Sequence, residues 1–341
     1  MENSASNPSI TQALQAQAMQ LLPIITQELD AQYFREIVHQ RIAQQSTEQT
    51  QDIKTQHIDK TYFQGLTRAQ HPQFGSVMIK WQLSDGAYPI ASDLTHEADV
   101  LAAVNASLKI KDNAIAPPLL AHHCLKVQIL EKLQHLVIVV MPYYTNGSLA
   151  SQLTASKHLS LITSQKHHFI TRAAYLIANL HQAGWLHNDI KPSNILLEGF
   201  DDEWPADTMS NDLAPRLLLT DFALSQCMTV ANSQPNPAGT PAYLAPERWQ
   251  GQSATIQSDI YAFGVMMVEI LTGKRPFQLS ANSNDKLRVW AIQHCQQPIP
   301  TLSAEYSHYQ CIVDKVLTKR EERRYQDIDK ILIDLKLLDN S

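Results

Sequence analysis

The chain has 341 residues, 44% hydrophobic and 18% charged, with a formal net charge of −6. That length allows one large domain or two lobes around a substantial core, and the acidic balance argues against a general nucleic-acid binder. No run reaches the ~18 uncharged apolar residues of a membrane helix, no Lys or Arg precedes Arg35 to start a secretory signal, and Cys124, Cys227, Cys295 and Cys311 form no CxxC pair, so the expected state is a cytoplasmic protein with free thiols.

Residues 1–52 are rich in Gln, Ser, Thr and Ala. Leu14, Leu21, Ile25, Leu29, Phe34, Ile37 and Ile42 recur near helical spacing. This predicts a helical extension, started by Asn7 or Ser9 and broken or restarted at Pro23, that packs on the main domain. A dimer or partner contact through residues 1–52 is the alternative.

From residue 53 the pattern turns to strands. "GSVMIKWQL" alternates as a strand does and carries Lys80. "LTHEADVLAAVNA" has helical periodicity and carries Glu97, and "CLKVQILEKLQHLVIVVMPYY" reads as two strands with a short turn. After the turn "TNGSL" the chain becomes mainly helical. A predicted helix places Phe169, Ile170, Ala173, Leu176, Ile177 and Leu180 on one face and stops at Gly184. "GWLHNDIKPSNILL" then packs Asp189, Lys191 and Asn194 into one loop before an apolar strand. "RLLLTDFAL" ends another strand at Asp221, and "SDIYAFGVMMVEILTG" is apolar nearly all round, as a buried helix is.

A strand Lys, a helix Glu, a loop with Asp189 and Asn194, Asp221, and then "GTPAYLAPE" occur in the order of V-A-I-K, helix Glu, H-R-D-x-K-x-x-N, D-F-G and A-P-E. In this the chain resembles the eukaryotic-type (Hanks-type) serine/threonine protein kinases over about residues 53–338, in the brief layout of bacterial members. The resemblance implies an α+β, bilobal kinase fold, with a small antiparallel-sheet lobe and hinge over 53–144 and a mainly helical lobe over 145–341. It implies transfer of the γ-phosphoryl group of ATP, with Mg²⁺, to Ser or Thr hydroxyls of a protein substrate, without nucleic-acid or membrane partners. A catalytically weak, pseudokinase-like scaffold is the alternative.

Phosphoryl transfer asks a protein to hold phosphates and neutralise charge, with little covalent work. By resemblance Lys80, held by Glu97, meets the α- and β-phosphates. Asn194 and Asp221 supply oxygen ligands to Mg²⁺, Asp189 orients the acceptor hydroxyl, and Lys191 places a charge beside the moving phosphate. Leu66, Met78, Met141, Tyr143, Tyr144 and Leu196 surround the adenine. Thr240 contacts Asp189 and Lys191, His187 stacks on Phe222, Asp259 holds the loop backbone, and Glu247 pairs with Arg324.

The pattern departs from the family in places. Aligning "YFQGLTRA" on GxGxxGxVxxA puts Asp59, Thr61 and Gln64 at the three glycine positions, with Gly65 recruited only by a one-residue shift. Glycines there let backbone amides approach phosphates, so weaker ATP use is expected. Met78 replaces a small Ala over adenine, and Ala223 replaces the Gly of D-F-G. Asn188 replaces the Arg before the catalytic Asp, so pairing with an activation-loop phosphate is not expected. An acidic insertion, 198–215, reads as a solvated loop, or as a docking site for a basic partner anchored on Trp204.

Overall fold

A computed structural model describes residues 8–47, 60–85, 94–107, 114–129, 132–199, 215–229, 238–280 and 285–338. The chain forms two compact units, one from residues 1–102 and 118–143, the other from 103–117 and 144–341.

The first unit is a five-stranded antiparallel sheet built from β1 (Arg35–Thr47), β2 (Lys60–His71), β3 (Gly75–Asp85), β4 (Ala121–Ile129) and β5 (Lys132–Pro142), in the order β1-β2-β3-β5-β4. Side chains alternate across a strand, and β3 shows the result. Val77, Ile79, Trp81 and Leu83 face one core, where α1 (Pro8–Ala31) covers them with Leu21, Ile25 and Leu29. Met78, two residues before Lys80, packs on the opposite core, where Val137, Val139 and Met141 meet Leu94 and Ala98 of α2 (Leu94–Ser107).

The helical reading of residues 1–52 is corrected in two places. Helix α1 runs through Pro23; the ring lies on the exposed side, and the buried Leu21, Ile25 and Leu29 offset a mid-helix proline that costs ~3 kcal/mol. Beyond Ala31 the helix gives way to β1, which pairs with β2 from Arg35↔Gln70 to Thr47↔Lys60. The apolar residues Phe34, Ile37 and Ile42 join the sheet's core rather than a helix face. The stripe Leu21, Ile25, Leu29 thus packs on the chain's own sheet.

A chain of side-chain hydrogen bonds fastens α1 down. Thr26 Oγ1 meets His39 Nε2 at 2.9 Å, His39 Nδ1 meets Thr67 Oγ1 at 2.8 Å, and the buried Trp81 indole N–H donates to Thr67 Oγ1 at 2.9 Å. Burial lowers the His39 pKa. Gly65, the first glycine of the chain, lies in β2 beneath this indole; a Cβ there would come within 2.1 Å of the Trp81 ring.

The second unit is mainly helical. Helices α3 (Leu149–Gln152) and α4 (Ala155–His158) lead to α5 (Thr163–Gln182), which buries Phe169, Ile170, Ala173, Leu176, Ile177 and Leu180, the expected face. Two short antiparallel strand pairs follow: β6 (Trp185–Leu186) with β9 (Gln226–Cys227), and, between them in sequence, β7 (Ile195–Glu198) with β8 (Arg216–Leu219). Most of the acidic insertion, with Trp204, lies outside the described residues. Then come α6 (Pro246–Trp249), α7 (Ile256–Thr272), α8 (Lys286–Gln296), α9 (Gln310–Val316) and α10 (Ile328–Leu338). Helix α7 is buried along most of its length, begins at a Thr255–Ser258 capping box and ends at Gly273 with φ 73.

Candidate active site

In the first unit, β3 places Lys80 opposite Leu66 of β2 and Val139 of β5. Its Nζ donates to Glu97 Oε1 at 2.8 Å and Oε2 at 2.6 Å. Glu97, in the first turn of α2, is buried. A buried carboxylate is costly without a partner, so the pair holds the ammonium at a fixed place on a rigid strand. Met78 lies directly across from Met141, and the Tyr143 N–H donates to the Ser76 carbonyl at 3.0 Å.

In the second unit, Asp189, Lys191, Asn194 and Thr240 come together. Thr240 donates to Asp189 Oδ1 through its N–H at 3.0 Å and its hydroxyl at 2.7 Å. Lys191 Nζ reaches Asp189 Oδ2 at 2.5 Å and Thr240 Oγ1 at 2.7 Å. Asn194 Nδ2 donates to the Asp189 carbonyl at 3.0 Å and to Oδ2 at 3.1 Å. The separation of 49 positions between Lys191 and Thr240 hides this contact in the sequence. Gly239 makes it possible: its φ is +141, and a Cβ would lie 2.9 Å from Leu244 Cδ1 and 3.3 Å from the Asn188 carbonyl oxygen.

Asp221 takes the left-handed conformation, φ 69 and ψ 63, before the turn Phe222–Leu224. It is tied to the loop through Thr220, whose N–H donates to the Asn194 carbonyl at 3.0 Å. Ala223, inside that turn, does not take a positive φ, so it fits its conformation without strain. Leu196 pairs with Leu218 in the β7–β8 hairpin and bridges to Ser148. Tyr144 is half-buried, and burial, with Glu198 nearby and Arg216 opposing, pushes its phenol up to about 12.

The loop is anchored from below by Asp259 on α7. Its carboxylate accepts the N–H groups of His187 and Asn188, each at 2.9 Å, and His181 Nε2 at 2.9 Å. Burial would raise this carboxyl, but the His181 bond and charge and the backbone donors outweigh it and hold it below the usual range. His187 is fully buried, its ring 5.3 Å from that of Phe222, and burial lowers its pKa. Glu247 and Arg324 form a bidentate pair, 2.8 Å at each arm, with Ser258 donating to Glu247 at 2.8 Å.

Two contacts escape the sequence reading. His181 supports Asp259 from the last turn of α5, and only its place at the end of an otherwise apolar face hints at a role. Asn188, with φ 65, donates from Nδ2 to the Leu224 carbonyl at 2.8 Å. The placement of the glycine positions also changes. Thr61 and Gln64 sit in the β1–β2 ladder opposite Ser46 and Ala43, and Gly65 serves Trp81. Residues 48–59, which link these strands in sequence, contain no glycine and lie outside the described residues, Asp59 among them.

Comparison with known proteins places this geometry. The protein kinase domain matches residues 122–333, a span that holds Asp189, Asn194, Asp221 and Asp259. The chain belongs to the protein kinase domain family. It is 30% identical over 200 residues to the human serine/threonine-protein kinase ULK1, covering 59% of this chain and 18% of that protein. It is 27% identical over 203 residues to the probable serine/threonine-protein kinase PknB of Lactococcus lactis, covering 58% and 29%, and 35% identical over 160 residues to calmodulin-binding receptor-like cytoplasmic kinase 2 of Arabidopsis thaliana, covering 46% and 37%. The chain thus spans well under half the length of these relatives. The two-unit architecture, a five-stranded antiparallel sheet in one and mostly helices in the other, is that of the kinase fold.

Proposed function

We propose that the chain transfers the γ-phosphoryl group of ATP to Ser or Thr hydroxyls of a protein substrate. The observation that carries this reading is the Asp189 carboxylate, held at both oxygens by Thr240, Lys191 and Asn194 on a loop pinned to Asp259. A carboxylate fixed in this way accepts or orients a hydroxyl proton. Lys191 sits beside it as a charge for the transferring phosphate. A cavity of about 370 Å³ lined by Lys191, Ser193, Thr240, Tyr243 and Glu269 adjoins it and suits the acceptor segment.

Lys80, oriented by Glu97, is assigned to the nucleotide phosphates. The residues also fit Mg²⁺. Asn194 turns its amide N–H₂ to Asp189, leaving its carbonyl oxygen as the remaining ligand atom, and Asp221 adds a carboxylate. Such a sparse oxygen set suits Mg²⁺, which takes one or two protein ligands beside phosphate oxygens. Bound there, the ion supplies neutralisation of phosphate charge. Leu66, Met78, Met141, Tyr143, Tyr144 and Leu196 are assigned to the adenine.

The four cysteines are free, and no helix among the described residues is long and apolar enough to cross a membrane; a reducing, cytoplasmic location is consistent with both. The test is incorporation of radiolabel from ATP with Mg²⁺ into a generic basic protein, run beside Asp189→Ala. Equal incorporation by the variant refutes the assignment, and no incorporation by either favours a scaffold.

A further inference from the structure

Away from the catalytic loop, the second unit holds a cavity of about 730 Å³, within the range of small-molecule sites. The start of α5, the end of α7 and residues 300–306 form it, and its apolar walls include Leu161, Val268, Leu271 and Leu302. Lys166, in the first turn of α5, lines it with only 5% of its surface exposed. Its Nζ donates to the Leu271 carbonyl at 3.2 Å and to the Tyr306 hydroxyl at 2.8 Å. An ammonium carries three N–H donors, and the third has no acceptor among the described residues.

Capping the last turn of α7 accounts for part of this arrangement, since a cation suits a helix C-terminus. It does not account for a full charge. Lys166 makes no ion pair among the described residues, and a buried charge without one is costly. Burial accordingly lowers its pKa, with Glu305 opposing. Lys274 and Arg275 add positive charge to the cavity wall. Among the described residues Glu305 is the one carboxylate there, and the Thr163 hydroxyl approaches it at 3.4 Å.

We propose that this cavity binds a small amphipathic monocarboxylic acid, its apolar body against Leu161, Val268 and Leu302 and its carboxylate on Lys166. The inference is independent of phosphoryl transfer. Phenylbutyrate is the probe and phenylbutanol its uncharged counterpart, each titrated into the full chain by calorimetry. Phenylbutyrate should bind at least about tenfold more tightly, since a hydrogen bond to a charged group discriminates by that factor or more. Lys166→Met should erase the difference between the probes. Because Lys166 also caps α7, a melting curve accompanies that variant, and Lys274→Glu at an exposed position provides a second arm. It should weaken phenylbutyrate by about threefold and leave phenylbutanol unchanged, whether or not Lys166→Met folds. Absence of phenylbutyrate binding at millimolar concentration, equal affinity for the two probes, or indifference of phenylbutyrate to Lys274→Glu overturns the proposal.

Discussion

Replacing Asn188 by Asp removes one hydrogen-bond donor and changes almost nothing in size. The Asn188 amide donates to the Leu224 carbonyl at 2.8 Å, and Asp presents an oxygen to that carbonyl instead. Leaving such a partly buried carbonyl unmatched costs about 1–3 kcal/mol, which is roughly a 5- to 150-fold shift in the opening equilibrium of the segment after Asp221. Amide exchange reads that equilibrium directly. The N–H groups of Ser225 and Met228 donate to the Phe222 and Gly184 carbonyls at 3.0 and 2.9 Å, and their protection should fall by that factor while amides of α7 keep theirs. Asn188→Gly should reproduce the effect, because glycine keeps the φ of 65 without a donor. Unchanged protection at Ser225 and Met228 in both variants would show that the contact does not hold the segment. An amide needs no phosphate to act, and residues 221–247 contain no Lys or Arg to receive one. Phosphatase-treated protein, and Thr229→Ala with Ser233→Ala, should therefore keep most activity; loss reversed by rephosphorylation refutes this.

Lys80→Ala and Asp221→Ala should each lower kcat/KM by more than ~100-fold, as charge-stabilising groups contribute several kcal/mol; near-normal turnover in either rejects its role. With no glycine in 48–59, ATP should bind only modestly more tightly than adenosine in the presence of Mg²⁺, and a calorimetric gap of several orders of magnitude contradicts this. Leu29→Ala, at a fully buried position, should destabilise by ~2–5 kcal/mol in urea titrations, and an unchanged midpoint means α1 is not docked. Burial, the Lys319 charge and a smaller Arg275 contribution push His294 down to about 3. The unfolded imidazole titrates near ~6.5, so this stability is intact above that pH and falls by about 1.4 kcal/mol per unit as pH drops from there toward 3. Urea midpoints at two pH values should show a shallower slope in His294→Gln, and an equal slope sinks the argument.

The second unit was the more legible in sequence. Asp189, Lys191 and Asn194 lie within one turn of chain, and helix faces such as Phe169 to Leu180 show a clean period, so local pattern and tertiary packing agree. The pair Glu247–Arg324 was legible through resemblance rather than spacing. The first unit was less so. Leu29, Phe34, Ile37 and Ile42 keep a nearly helical spacing across a helix-to-strand change, because β1 carries register shifts between Arg35 and Val38 and between His39 and Arg41 that disturb strict alternation. Without that strand, two of the aligned glycine positions fall on Thr61 and Gln64, which lie inside the β1–β2 ladder. His181 and the Asn188–Leu224 contact depend on which groups face a buried carboxylate or carbonyl, and one-dimensional spacing does not carry that information.

The docking of α1 has a consequence during synthesis. Its apolar face is the first part of the described chain to leave the ribosome, yet much of its counterpart, including Ile138 and Val140 of β5, follows about 110 residues later. At ~5–20 residues per second, Leu21, Ile25 and Leu29 wait roughly 5–20 s for the central strands that complete their cover. The nascent chain therefore carries an unmatched greasy stripe through most of the making of its first unit, and a chaperone that holds short apolar helices would meet this protein at α1.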